Sequence, residues 1–201
     1  MKFQSARAAE GWDTLSSETH YADPHLSVAT VHVRTPAKPV GRRWTVVHRK
    51  AAVVIAPLTR DGRLVLIREE RVPVQAALWS VPAGQLDDAH EVAERQMEAV
   101  ALRELQEETG YELAAGGELV ALGHYFTSPG FTDECGYLYL ARPVELGDAG
   151  PAHTESESIL DCRAFSEREI AGMIARNEIR DSNTLSICAL LVARGYLSLG
   201  Q

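Results

Sequence analysis

Cysteine is scarce: the 201 residues hold three, Cys135, Cys162 and Cys188, scattered and odd in number. None forms a Cys-x-x-Cys pair, which argues against a zinc site or a disulfide framework. A reducing compartment, the cytoplasm, is the expected location. Excess positive charge is lacking as well. With a formal net charge of −8, neither a general nucleic-acid binder nor a membrane-surface binder is expected. Long apolar runs are missing: Met1-Lys2-Phe3-Gln4 has none of the hydrophobicity of a signal peptide. The most apolar stretch, residues 185–192, is too short and interrupted to span a bilayer. There is no internal repeat and no low-complexity linker. What is left, 45% hydrophobic and 24% charged residues, is ordinary globular composition. It suffices for one sizeable domain, or a compact one with an appended sheet or helix.

The densest feature present is acidic: Arg103-Glu104-Leu105-Gln106-Glu107-Glu108-Thr109-Gly110-Tyr111. Gly110 stands where a helix C-terminus wants a left-handed residue. Counting back, Glu104 and Glu108 lie one turn apart on one face, beside the apolar stripe of Met97, Ala101 and Leu105. For stability alone the placement is poor. Like charges at this spacing cost roughly 0.2–0.5 kcal/mol per pair, and the negative end of the helix dipole adds about 0.3–1 kcal/mol. A hard divalent cation would turn both penalties into attraction; a solvated charged helix end is the alternative.

Along the chain, residues up to about Pro24 read as a loosely held arm or a first edge strand. Alternation over residues 26–33 predicts a strand, 36–41 a turn, and 44–47 a second strand. Residues 51–57 form a near-continuous apolar run expected to be a buried strand, and Asp61-Gly62 is a hairpin turn into a strand at 64–67. Short strands are expected at 79–81, 119–124, 136–141 and 158–163. Ser166, with Glu169 three residues on, caps a helix to about Asn177. Asp181-Ser182 opens a last helix whose apolar stripe is expected to hold Leu185, Cys188, Leu191 and Val192. The sum is α+β, a helix held against a central sheet.

The acidic run resembles the second half of the Nudix box, G-x5-E-x7-R-E-U-x-E-E-x-G-U, and meets every fixed position from Arg103 to Gly110. Upstream, Trp79-Ser80-Val81-Pro82-Ala83-Gly84-Gln85-Leu86-Asp87 resembles the strand and Pro-Ala-Gly turn that opens the box in the ADP-ribose and nucleotide-sugar branch. One departure stands out: the stretch from Gly84 to Arg103 is about five residues longer than the pattern allows. Aligned from the arginine, the first glutamate of the box falls on Arg95; aligned from the glycine, on His90. Glu91, Glu94 and Glu98 are the candidate substitutes. The resemblance implies a Nudix α/β/α sandwich over residues 48–201, with an N-terminal arm and antiparallel sheet over 1–47 that serves dimerisation. It also implies metal-dependent (Mg²⁺ or Mn²⁺) hydrolysis of a small nucleoside diphosphate, with ADP-ribose giving AMP and ribose 5-phosphate. Another dinucleotide or nucleotide sugar, such as GDP-mannose or NADH, and a non-catalytic nucleotide sensor are the alternatives.

By the same resemblance the alanine carbonyl of the turn joins the box glutamates, so Ala83, Glu104 and Glu108 are the expected metal ligands. Glu107 is the spare carboxylate, expected to be catalytic by bridging a second ion or activating water through it, and Arg103 orients its neighbours by a bidentate pair rather than touching substrate. Ser128-Pro129-Gly130-Phe131-Thr132-Asp133-Glu134 resembles the mobile loop of ADP-ribose pyrophosphatases, making Glu134 the candidate base, with Asp133 as fallback or simply an Asx-type turn. Arg71 stands where relatives carry an arginine; a salt bridge with Glu69 or Glu70 and a phosphate contact are both open. Gly84 and Phe131 complete the expected substrate wall. Trp44 and Trp79 are expected in the core, and Glu155 and Glu157 in solvent.

Overall fold

The computed structural model describes residues 10–86, 93–152 and 158–200. β1 (Asp13–Ala22), β2 (Leu26–Thr35) and β3 (Lys38–Arg49) form a three-stranded antiparallel sheet in that order. The larger, seven-stranded sheet holds β4 (Ala52–Thr59), β5 (Leu64–Arg71), β6 (Ala76–Ser80), β7 (Ala83–Gln85), β8 (Tyr111–Phe126), β9 (Cys135–Leu146) and β10 (Ile159–Phe165). Its order is β10-β5-β4-β9-β8, with β6 on β5 and β7 on β4. Among the described residues three α-helices cover it: α1 (Glu94–Thr109), α2 (Glu167–Ala175) and α3 (Ser182–Ala193).

Why the sheet carries helices on both faces is written in β4. All residues from Val53 to Leu58 are buried, as expected of a strand covered on both sides. Successive side chains point to opposite faces. Val53 and Ile55 join Val65, Tyr139 and Ala141 in a cluster with Met97, Ala101 and Leu105 of α1. Val54, Ala56 and Leu58 join Leu64, Leu66, Leu138 and Leu140 against Ile170, Ile187 and Leu191 of α2 and α3. Each fully buried aliphatic side chain contributes about 1.5–3 kcal/mol, so these two layers hold α1 and its acids fixed against the sheet.

The caps form as the sequence predicts. Gly110 ends α1 at φ 73° and gives its N–H to Gln106 O, and a Cβ there would also crowd Pro151. Ser166 and Glu169 make the capping box of α2, and Asp181 caps α3 through Thr184 N.

Several expectations need correction. The turn expected over residues 36–41 is confined to Pro36 and Ala37, because β3 already pairs at Lys38 with Thr35. The glycine loop after Trp79 is instead the short strand β7, since Ala83, Gly84 and Gln85 pair with β4. In α3 the inward face is Thr184, Ile187, Cys188 and Leu191, whereas Leu185 and Val192 are 38% and 41% exposed. The cause is Thr184, whose hydroxyl takes Val81 N–H at 3.0 Å in the interior and so sets the helix's rotation. Trp44 lies outside the core, 43% exposed, with Arg42 over its ring. Trp79 does pack on the core, edge-on to Phe165.

Candidate active site

Helix α1 brings its last two turns against β7. Glu104 and Glu108 are 6% and 5% exposed, a rare burial for carboxylates unless something satisfies them. Glu108 Oε2 accepts the Ala83 N–H at 3.0 Å. Glu104 fills the space beside Gly84, where any Cβ would overlap its carboxyl group; this is the physical reason for glycine here. Arg103 spans the cluster, with Nη2 2.6 Å from Glu104 Oε1 and Nη1 2.6 Å from Glu107 Oε2. Partial burial works against its charge, but Glu104 and Glu107 outweigh that and hold the guanidinium above its ordinary pKa.

The same strand, β7, borders a cavity of about 450 Å³. Ala83, Gly84 and Gln85 form one wall, the loop from Thr127 to Gly136 another, and the start of α3 (Asp181, Ser182, Asn183) a third. Arg49 and Arg71 line it as cations, and Glu134 and Phe131 reach it from the loop. Arg71 pairs with Glu69 at 2.8 Å. Glu134 meets Arg49 Nη1 at 3.1 Å through Oε1 and accepts from the Thr127 hydroxyl at 2.8 Å through Oε2. Phe131 is 55% exposed. Tyr125 donates to Asn183 Oδ1, tying β8 to α3. Burial first, with the charges of Asp181 and Glu134 behind it, pushes this phenol up to about 12 against the hydrogen bond with Ser182.

The structure therefore sets Ala83, Gly84, Arg71, Phe131 and Glu134 around one cavity, with Glu104 against Gly84, Glu108 bonded to Ala83, and Arg103 joining Glu104 to Glu107. Among the described residues no three His, Cys, Asp or Glu side chains stand together as a ready-made metal cage. The donor chemistry nevertheless fits a hard divalent cation: two buried carboxylates abut the backbone of β7, where glycine leaves them room. Of the substitutes for the first box glutamate, Glu94 and Glu98 are half-buried and Arg95 is exposed. Both glutamates bear on Tyr139, whose hydroxyl burial and their charge together push upward. His90, Glu91, Glu155 and Glu157 lie outside the described residues. Sequence reasoning missed Arg49, Asn183 and the contacts of Asp133. The first carries a weak signal, a cation at the mouth of the most apolar strand; the others carry none, since their neighbours are distant in the chain.

A model of the NUDIX domain matches residues 47–186. The ADP-ribose pyrophosphatase of Mycobacterium tuberculosis (strain ATCC 25618 / H37Rv) is 30% identical over 185 residues, 92% of this chain and 84% of the relative. That of Bacillus subtilis (strain 168) is 26% identical over 171 residues, 85% of this chain and 87% of its own length. The methanol dehydrogenase activator of Bacillus methanolicus is 28% identical over 188 residues, 94% and 93% of the two chains. A crystal structure of an ADP compounds hydrolase shares the fold with a TM-score of 0.70 at 19% identity, covering 96% of this chain and all of that one. The chain belongs to the NUDIX family. The pyrophosphatases among its relatives put it in the ADP-ribose pyrophosphatase branch, as a pyrophosphohydrolase. Among the described residues no helix is long and apolar enough to cross a membrane.

Proposed function

We propose that the protein hydrolyses the diphosphate bond of ADP-ribose or a closely related nucleoside diphosphate sugar, with Mg²⁺ or Mn²⁺, releasing AMP and ribose 5-phosphate from ADP-ribose. The observation that carries this reading is a cavity lined by Arg49, Arg71 and Glu134, bordered by the strand β7, which packs on two buried carboxylates. Arg71 and Arg49 present guanidinium groups suited to bidentate contact with phosphate oxygens. Phe131 offers an exposed ring to the organic part of the substrate. Ala83, Glu104 and Glu108 would hold the cations, with Glu107 in reserve and Arg103 keeping Glu104 and Glu107 in place. At these residues a divalent cation would supply positive charge against the diphosphate and acidity to a water. Glu134 is the general base that takes the proton of the attacking water. Its position on a loop suits a group that must close on bound substrate.

A homodimer built through the N-terminal sheet is part of the same proposal. All ten residues of β1 are exposed, and Trp12, Tyr21 and Trp44 stand out at 50%, 54% and 43% exposure, an uncommon waste of aromatic surface for a monomer. Light scattering on the eluting protein tests it; a monomer at micromolar concentration refutes it. The decisive test of the activity is a panel of ADP-ribose, ADP-glucose, GDP-mannose and NADH, each with Mg²⁺ and with Mn²⁺, read by product chromatography. Preferred turnover of ADP-ribose to AMP is expected. Turnover of GDP-mannose or NADH alone overturns the substrate, and no turnover of any overturns the function.

A further inference from the structure

The loop that carries Glu134 is fastened to β3, a strand of the other sheet, by a ladder of long-range contacts. Trp44 Nε1 donates to Gly130 O at 2.9 Å, and Val47 N donates to Phe131 O at 2.8 Å, where Val47 and Thr132 form an isolated parallel bridge. The ladder ends on Asp133. One oxygen of its carboxylate accepts the Arg49 N–H at 3.1 Å; the other lies 2.6 Å from His48 Nδ1. Asp133 was expected to be a fallback base or to serve an Asx-type turn; its partners are instead 84 and 85 residues away. The residue after it is Glu134, so whatever fixes Asp133 fixes the backbone from which Glu134 reaches the cavity.

We infer that His48 is a positioning residue: by holding Asp133 to β3 it sets the loop so that Glu134 faces the diphosphate. His48 itself does not line the cavity, although its neighbours Val47 and Arg49 do, and the contact its ring makes is with Asp133. The inference rests on the function proposed above for its catalytic consequence, but not for the latch itself. Both side chains are about half exposed, 42% and 51%, so removing either leaves the fold intact.

The test compares His48→Ala, His48→Asn, Asp133→Ala and the double variant His48→Ala/Asp133→Ala with the wild type. Asparagine is the discriminating substitution, because its amide nitrogen sits close to the place of Nδ1 and can donate to Asp133. The first readout is hydrogen exchange over residues 127–136 and at the Arg49 amide. His48→Ala should speed exchange there roughly three- to fivefold, the loss of about one exposed hydrogen bond, and His48→Asn should restore protection. The second is steady-state kinetics on the best substrate of the panel. His48→Ala should lower kcat roughly three- to tenfold with KM within about twofold, since small misplacements of a catalytic group are costly. The double variant should be no slower than the slower single one. Unchanged exchange in His48→Ala, failure of His48→Asn to restore it, or additive losses in the double variant overturn the inference. So does a raised KM at constant kcat, which would make His48 a substrate contact. A melting temperature lowered enough to account for the lost activity also overturns it. If the wild type turns over nothing, the proposed function fails, while the exchange data still decide the latch.

Discussion

Gly84→Ala is the sharpest test of the acidic cluster, because the substitution touches one thing. Gly84 is an extended strand residue, so alanine suffers no backbone strain; in the unfolded chain it would favour folding by about 0.4–1 kcal/mol. Against that, the new methyl would occupy the place of the Glu104 carboxyl group and its Cγ. No backbone atom is among the three nearest neighbours, so the side chain of Glu104, not the sheet, must yield. Overpacking of this kind costs typically 1–3 kcal/mol, which leaves a net loss of roughly 0–2.5 kcal/mol. For a chain of this size that lowers Tm by up to about 10 °C. Catalysis should suffer far more, since a carboxylate moved by an ångström loses on the order of 10²-fold. The assay is kcat and half-saturating Mg²⁺ on the preferred substrate, beside a melting curve. The expected result is a folded protein with kcat reduced at least a hundredfold and weaker Mg²⁺ response. A variant with normal kcat and normal Mg²⁺ dependence would refute the assignment of Glu104, because the collision is unavoidable.

Three further outcomes follow from the same geometry. Glu108→Gln keeps a side-chain oxygen for the Ala83 amide but removes a charge from the helix end; in metal-free buffer its Tm should be unchanged or raised by about 1–6 °C, a gain of roughly 0.5–1.5 kcal/mol, while kcat falls by orders of magnitude. A large drop in metal-free Tm would contradict this. Glu134→Gln should lower kcat while leaving Mg²⁺ affinity, read by the Tm rise on titration, as in the wild type; an unchanged kcat removes Glu134 from the mechanism. Burial pushes the thiols of Cys135, Cys162 and Cys188 up to about 11, so at pH 8 about 0.1% is thiolate against about a quarter for an ordinary cysteine. Alkylation should therefore be roughly two hundredfold slower than for free cysteine. Because these folded pKa values are raised, their stabilising share is full below about pH 8.5 and fades as pH climbs towards 11; rapid labelling at pH 8 would contradict the burial.

The parts legible in the sequence were those whose cause is local. The end of α1 could be read because a left-handed glycine and acids one turn apart are properties of nine consecutive residues. The caps at Ser166 and Asp181 follow from side chains within three residues. β4 announced itself by an unbroken apolar run. What stayed hidden depends on partners far along the chain. β7 has no strand signature of its own; it exists because β4 offers an edge to Ala83, Gly84 and Gln85. Trp44 looked like core because aromatics in strands commonly are, yet it faces outward from a thin sheet and binds a carbonyl 86 residues on. Asp133 and Arg49 could not be matched by spacing, since only the fold brings β3 to the loop.

The alternation along β4 has a consequence for how this protein tolerates change. Val53 and Val54 are adjacent in the chain but belong to different rooms, one shared with the acidic helix, the other with α2 and α3. Each methyl group altered on the acidic-helix side leans on the floor beneath the carboxylates, whereas the α2 and α3 side reaches them through Ala83, which packs on it and gives its N–H to Glu108. Inserting a single residue in this strand would exchange the two rooms, and with them the footing of the chemistry.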